Sequence, residues 1–121
     1  MTIEECYQRI GGDYKQISNA LGSENIVKKF LLKLIDEETH LALDKALENN
    51  DYKEAFRAAH TIKGICLNLS LTRLFIYVNP LTEALRNQDS LNYNLISKLH
   101  KEFNKEYKMI IDTIREFRDN Q

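Results

Sequence analysis

Apolar residues recur along most of this chain at intervals of three and four, the spacing that lines one face of an α-helix. Strand-length alternation of β-branched residues is missing almost everywhere. Thr2 and Glu5 have the spacing of a capping box ahead of Ile3, Cys6, Tyr7 and Ile10, and Gly11-Gly12 ends that short element. A second short helix is expected from Asp13 to Leu21, so residues 2–21 hold two short N-terminal helices. Val27, Phe30, Leu31, Leu34 and Leu41 then predict one long amphipathic helix over approximately 23–48, from Gly22-Ser23 to the break at Asn49-Asn50.

Asp51, with Glu54 three residues on, caps a helix predicted over 51–69. Leu71, Leu74, Val78, Leu81 and Leu85 stripe a helix over 71–87, where Pro80 is expected to cause a bend because its ring removes the bond to the carbonyl four residues back. Asp89-Ser90 marks a turn and cap. Beyond it, Ile96, Leu99, Phe103, Tyr107, Ile110, Ile114 and Phe117 predict a last helix over 91–117, approaching about 40 Å in length. Long amphipathic helices joined by short turns hide their stripes only against one another. The expected fold is therefore all-α: an antiparallel up-and-down four-helix bundle with one or two short N-terminal helices, as a single domain over 1–121.

Composition narrows the function classes. Seventeen basic residues against 18 acidic ones leave a formal charge of −1, so no global field favours nucleic acid, a membrane surface or a strongly charged substrate. No apolar run approaches the roughly 18 residues of a membrane span, and the acidic start Met1-Thr2-Ile3-Glu4-Glu5 is unlike a secretory signal, so the cytoplasm is the expected address. Cys6 and Cys66 belong to no CxxC pair and are expected as buried, reduced thiols. His40, His60 and His100 stand alone, without an HExxH pattern, so no metal site is expected. No Gly-rich phosphate loop is present, so ATP is not expected to bind here.

One histidine stands apart. Projected at about 100° per residue with His60 at zero, Ala58, Ile62, Ile65 and Leu69 fall between about 140° and 200°, so the core lies directly behind the imidazole. A lone helical histidine is ordinarily a hydrogen-bonded core residue; this one is aimed at solvent. Lys63 and Gly64, three and four residues on, share its face, as do Lys53 and Arg57 further along. An exposed glycine inside a helix costs about 1 kcal/mol relative to alanine, so clearance for a visiting molecule is the reason that fits. Phe56 and Leu67 put apolar surface beside this basic spot, as in a docking patch. Phe56 has a second destination open to it, against the N-terminal helices.

Histidine is a competent nucleophile near neutral pH and accepts a phosphoryl group at nitrogen. The added group brings about two negative charges, which the Lys63 ammonium would offset through a charge-assisted hydrogen bond. Hydrolysis would need a base for water, an oxyanion hole or a metal, and no candidate for any of these is visible beside His60.

The run Ala59-His60-Thr61-Ile62-Lys63-Gly64, followed by Asn68-Leu69 and Leu74, resembles the signature of histidine-containing phosphotransfer (HPt) domains. The resemblance extends to Ile26-Val27-Lys28-Lys29-Phe30-Leu31, to Asn50-Asp51-Tyr52 and to Leu81-Thr82-Glu83-Ala84-Leu85-Arg86. It implies a phosphotransfer intermediate without catalytic activity of its own. His60 would be the phospho-acceptor, Lys63 the stabiliser of the phosphoryl group and Gly64 the clearance residue, with Lys53, Phe56, Arg57, Leu67 and Asn68 facing the partner. That partner would be a response-regulator receiver domain, a hybrid sensor histidine kinase, or both, and the magnesium ion and acceptor aspartate would be the receiver's.

Two positions depart from the family's pattern. Ser70 stands where glycine usually follows the Asn-Leu pair and would close the helix in a left-handed turn. Thr82 stands where a glutamate that orients the imidazole is usual, leaving Asn79, Thr82 and Glu83 all open for that role. A non-phosphorylated helical adaptor that binds a receiver or kinase domain is the alternative function, and one domain of a larger sensor kinase the alternative context. A self-contained bundle is expected to be monomeric.

Overall fold

The computed structural model describes residues 1–121 and is helical throughout, with no strand. Helices α1 (Ile3–Ile10) and α2 (Tyr14–Leu21) form as the caps dictate. Thr2 and Glu5 exchange side-chain to backbone bonds at 3.0 and 3.1 Å, and Asp13 accepts from the Gln16 N–H at 3.0 Å. The stretch expected as one helix over 23–48 is instead two, α3 (Glu24–Lys33) and α4 (Thr39–Glu48), separated by a 3-10 turn at Leu34–Asp36. At the break Glu37 is extended, with φ −72° and ψ 129°, and its carboxylate accepts from both the backbone N–H and the hydroxyl of Thr39. The first of these bonds satisfies one of the N-terminal N–H donors that the start of a new helix leaves without a partner. Leu34 and Leu41 are two turns apart in sequence, so hydrophobic spacing alone carries straight across the gap.

Helices α5 (Tyr52–Leu69), α6 (Thr72–Arg86) and α7 (Tyr93–Asp119) follow. Asp51 caps α5 through the Glu54 N–H at 3.2 Å. Helix α6 runs through Pro80, and the Thr82 hydroxyl donates to the Val78 carbonyl at 2.8 Å. The cap of α7 is Asn92, which accepts from the Leu95 N–H at 3.1 Å, and not Ser90. Asp89 and Ser90 form the preceding turn, because Asn92 has the β-region backbone that a cap requires.

Helix α4 packs on α5, α5 on α6 and α6 on α7, each joined to the next by a short turn, which makes neighbours antiparallel. Asp44 on α4 meets His100 at 2.7 Å and Asn104 at 3.1 Å, tying the first bundle helix to α7. Arg73 on α6 pairs with the buried carboxylate of Glu106 on α7. One contiguous core of 28 buried residues, including Tyr7, Leu31, Leu81, Phe103 and Phe117, draws on the N-terminal helices as well as the bundle.

The N-terminal helices brace one end. Helix α1 lies on α7, where Arg9 grips Glu116 at 3.1 and 3.3 Å. The buried Tyr7 hydroxyl donates to the Leu69 carbonyl at 2.9 Å, and the Arg73 N–H donates to the Gly11 carbonyl at 3.0 Å. Gly12 is required there: a Cβ would lie 2.5 Å from the Tyr7 ring and 3.1 Å from the Ser70 carbonyl oxygen. The turn between α5 and α6 is thereby clamped from outside the bundle.

Candidate functional site

Helix α5 turns one face to the core through Ala55, Ala58, Ala59, Ile62, Cys66 and Leu69, all buried. His60 projects from the opposite face and is exposed, as the helical projection requires. Hydrogen bonds to an imidazole occur at His100, with Asp44 and Asn104, and not at His60. The ring of His60 rests 5.8 Å, centroid to centroid, from that of Phe56 one turn back. A Cβ built on Gly64, one turn forward, would meet no atom within 4 Å. Nothing in this chain's own packing requires glycine there, and the space beside the imidazole is open.

Phe56 is half-buried and packs on the edge of the core, with the Arg86 guanidinium of α6 5.2 Å from its ring centroid. His60 and Arg86 of α6 thus flank its ring. Leu67 lies two turns from His60 on the same side and is 62% exposed. Lys53 and Asn68 are exposed. Arg57 pairs with Glu54 at 3.1 Å and lines the groove toward α4 with Thr61 and Lys45, further round the helix.

Lys63 is less free than its position on the helical wheel suggests. Its side chain is 23% exposed, and its ammonium lies 3.7 Å from Glu83 on α6 and 5.9 Å from the centroid of the Phe75 ring. Glu83 is also held by Arg86, at 2.9 and 3.0 Å. The Arg86 hydrogen bonds, followed by the weaker influence of Lys63, hold the Glu83 carboxyl below the usual carboxylate range.

None of the three residues left open for orienting the imidazole hydrogen-bonds it. Thr82 is fully buried and bonded to its own helix, Glu83 is occupied by Arg86 and Lys63, and Asn79 is half-buried without a bond to His60. No three His, Cys, Asp or Glu side chains converge as a metal-holding group.

An exposed imidazole, an ammonium one turn away and a vacant flank make a surface on which a group can be placed by another protein. The family model for the Hpt domain matches residues 36–114, from the turn before α4 to near the end of α7. The chain belongs to the Hpt domain family. Membership carries phosphotransfer in two-component signalling, and Hpt domains act as phosphocarriers rather than classical enzymes, working with receiver domains and kinases. The match covers the four helices of the Hpt bundle, while α1, α2 and α3 precede it. Comparisons with curated proteins and with solved structures return no match. No helix is long and apolar enough to cross a membrane.

The Phe56, Arg86, Glu83 and Lys63 circuit beside His60 was not readable along the chain. The spacing of Glu83 and Arg86 permits a pair on one helix, but their engagement with Lys63 and Phe56 depends on how α6 is set against α5.

Proposed function

We propose that this Hpt domain carries a phosphoryl group on an imidazole nitrogen of His60, exchanging it with the aspartate of a response-regulator receiver domain, free or within a hybrid sensor histidine kinase. The observation that supports this above all is the exposed, unbonded imidazole with open space over Gly64. In the forward step the imidazole nitrogen attacks phosphorus, an N–P bond forms as the aspartyl O–P bond breaks, and the carboxylate leaves. Lys63 offsets charge on the carried group through a charge-assisted hydrogen bond, and Gly64 admits the receiver's active-site loops. Phe56, Gly64 and Leu67 offer no base to activate water, which suits a carrier that must keep its cargo.

Lys53, Phe56, Arg57, Leu67 and Asn68 form the docking surface, with apolar Leu67 and Phe56 near its centre and charges at its rim. Magnesium belongs to the receiver's acidic pocket, and this chain supplies no ligand to it. The protein acts as a cytoplasmic monomer without autonomous catalysis.

The test uses a cognate receiver bearing labelled phosphate. Label should appear on this protein as an acid-labile species and be lost in His60→Gln. Label that persists in that variant removes His60 from the role. Undiminished receiver binding by His60→Ala, with acid-labile phosphate never detected on the wild type, would establish the adaptor function instead.

A further inference from the structure

Glu83 and a phosphoryl group on His60 would be anions competing for one ammonium. Lys63 is the cation three residues from His60, yet in the unphosphorylated protein it lies 3.7 Å from Glu83, shielded to 23% exposure against Phe75. Glu83 itself is gripped more closely by Arg86, at 2.9 and 3.0 Å, and the Arg86 guanidinium lies in turn over the Phe56 ring, 5.2 Å from its centroid. Of the two cations on Glu83, Lys63 is therefore the one free to leave. Its departure leaves neither carboxylate oxygen without a partner.

We propose that Glu83 is a positioning residue that acts through Lys63: it occupies the ammonium when His60 is unmodified and competes for it when His60 is phosphorylated. The competition sets how readily the phosphoryl group leaves. A carrier whose stabilising cation is always contested holds its cargo at higher free energy and passes it on more readily than one whose lysine is dedicated to the phosphoryl group. Arg86 and Phe56 form the mount that keeps Glu83 in reach. This inference rests on His60 being the phosphorylated residue.

Exposed ion pairs are weak, so the effect is a few-fold adjustment of transfer rather than an on–off switch. A Glu83→Gln variant keeps the shape of the side chain and its acceptor oxygen toward Arg86 but loses the charge that holds Lys63.

The experiment loads the full chain with phosphoramidate, which needs no partner. The His60 nitrogen attacks phosphorus, the donor's P–N bond breaks, and the imidazole proton leaves with the amine as ammonium. Decay of the acid-labile phosphate after removal of the donor is then timed for wild type, Glu83→Gln, Lys63→Gln and the double variant. Glu83→Gln should lengthen the phosphohistidine lifetime by roughly three- to fivefold. Lys63→Gln should shorten it, and adding Glu83→Gln to Lys63→Gln should change nothing further. An unchanged lifetime in Glu83→Gln overturns the inference. So does an equal gain in the Lys63→Gln background, because Glu83 would then act by direct repulsion and not through the lysine. His60→Gln, run alongside, separates these outcomes from failure of the parent assignment: label taken up there, or none taken up by wild type, would count against His60 itself. Melting temperatures of the variants show whether any change in lifetime follows from a loosened fold.

Discussion

The backbone N–H of Asp13 donates to the carbonyl of Ser70 at 2.9 Å, joining the turn that leads into α2 to the residue that ends α5. Ser70 has φ 54° and ψ 42°, the left-handed conformation that glycine adopts without steric cost. Its own N–H completes the helix end by donating to the Cys66 carbonyl. The departure from glycine at this position is therefore tolerated because bonds from outside the helix hold the residue in place. Ser70→Gly should relieve the strain and stabilise the protein by about 0.5–1 kcal/mol, raising the melting temperature by a few degrees. Thermal unfolding followed by circular dichroism measures it, and a lower melting temperature would show that the serine is not strained.

Gly64 separates stability from function. The site is helical and a Cβ there meets nothing, so Gly64→Ala should stabilise the fold by about 1 kcal/mol through backbone propensity. The same methyl group stands in the space proposed for the visiting receiver, so transfer from a phosphorylated receiver should slow, and slow further with Gly64→Gln. A variant that is both more stable and equally fast would exclude the clearance role.

Leu67 is 62% exposed, so its replacement should leave folding almost untouched, within about 0.5 kcal/mol. Leu67→Glu should nevertheless raise the receiver concentration needed for half-maximal transfer several-fold, because it puts a charge in an apolar contact. Stopped transfer assays at varied receiver concentration distinguish this from a change in the chemical step. Loading by phosphoramidate, which requires no docking, should be unaffected.

The Thr82 hydroxyl is spent on the Val78 carbonyl and does not reach His60. Thr82→Val should therefore leave phosphohistidine lifetime and transfer rate within about twofold of wild type, at a stability change under about 1.5 kcal/mol. A large loss of transfer at unchanged stability would mean that α6 rotates in the complex and brings this hydroxyl to the imidazole.

Burial pushes the Cys66 thiol up from 9.0 to about 12, and that of Cys6 up to about 11. An unfolded chain sheds these protons near the ordinary thiol value while the folded protein retains them, so above that value the folded state binds more protons and stability falls as pH rises. The decline should begin near pH 9 and continue toward about 12, with the buried Tyr7 and Tyr107 hydroxyls, also pushed upward by burial, adding in the same sense. Urea midpoints measured at pH 8 and pH 10.5 should differ, by less in Cys66→Ala than in wild type. Neither thiol should react with iodoacetamide at pH 8 until the protein is unfolded.

Much of this molecule is legible one turn at a time. Thr2 with Glu5, Asp51 with Glu54 and the outward direction of His60 each depend on residues within four positions, where helical geometry decides what meets. The local run around His60 carries the resemblance to the family in the same way, within a few turns of one helix. The bundle followed as well, because apolar stripes on α5, α6 and α7 have only one another to bury against.

What local pattern could not decide is whatever depends on one helix lying against another. The break between α3 and α4 is a separate case: the Glu37 carboxylate that accepts from Thr39 is only two residues away, but a repeat that continues in phase from Leu34 to Leu41 hides the interruption. The left-handed Ser70 is held by Asp13, and Lys63 is claimed by Glu83, each pair remote in sequence. Helical periodicity tells which way a side chain points. Only the packed neighbours determine what it finds there, because a charge or a strained backbone is stabilised by atoms that tertiary folding brings within a few ångströms.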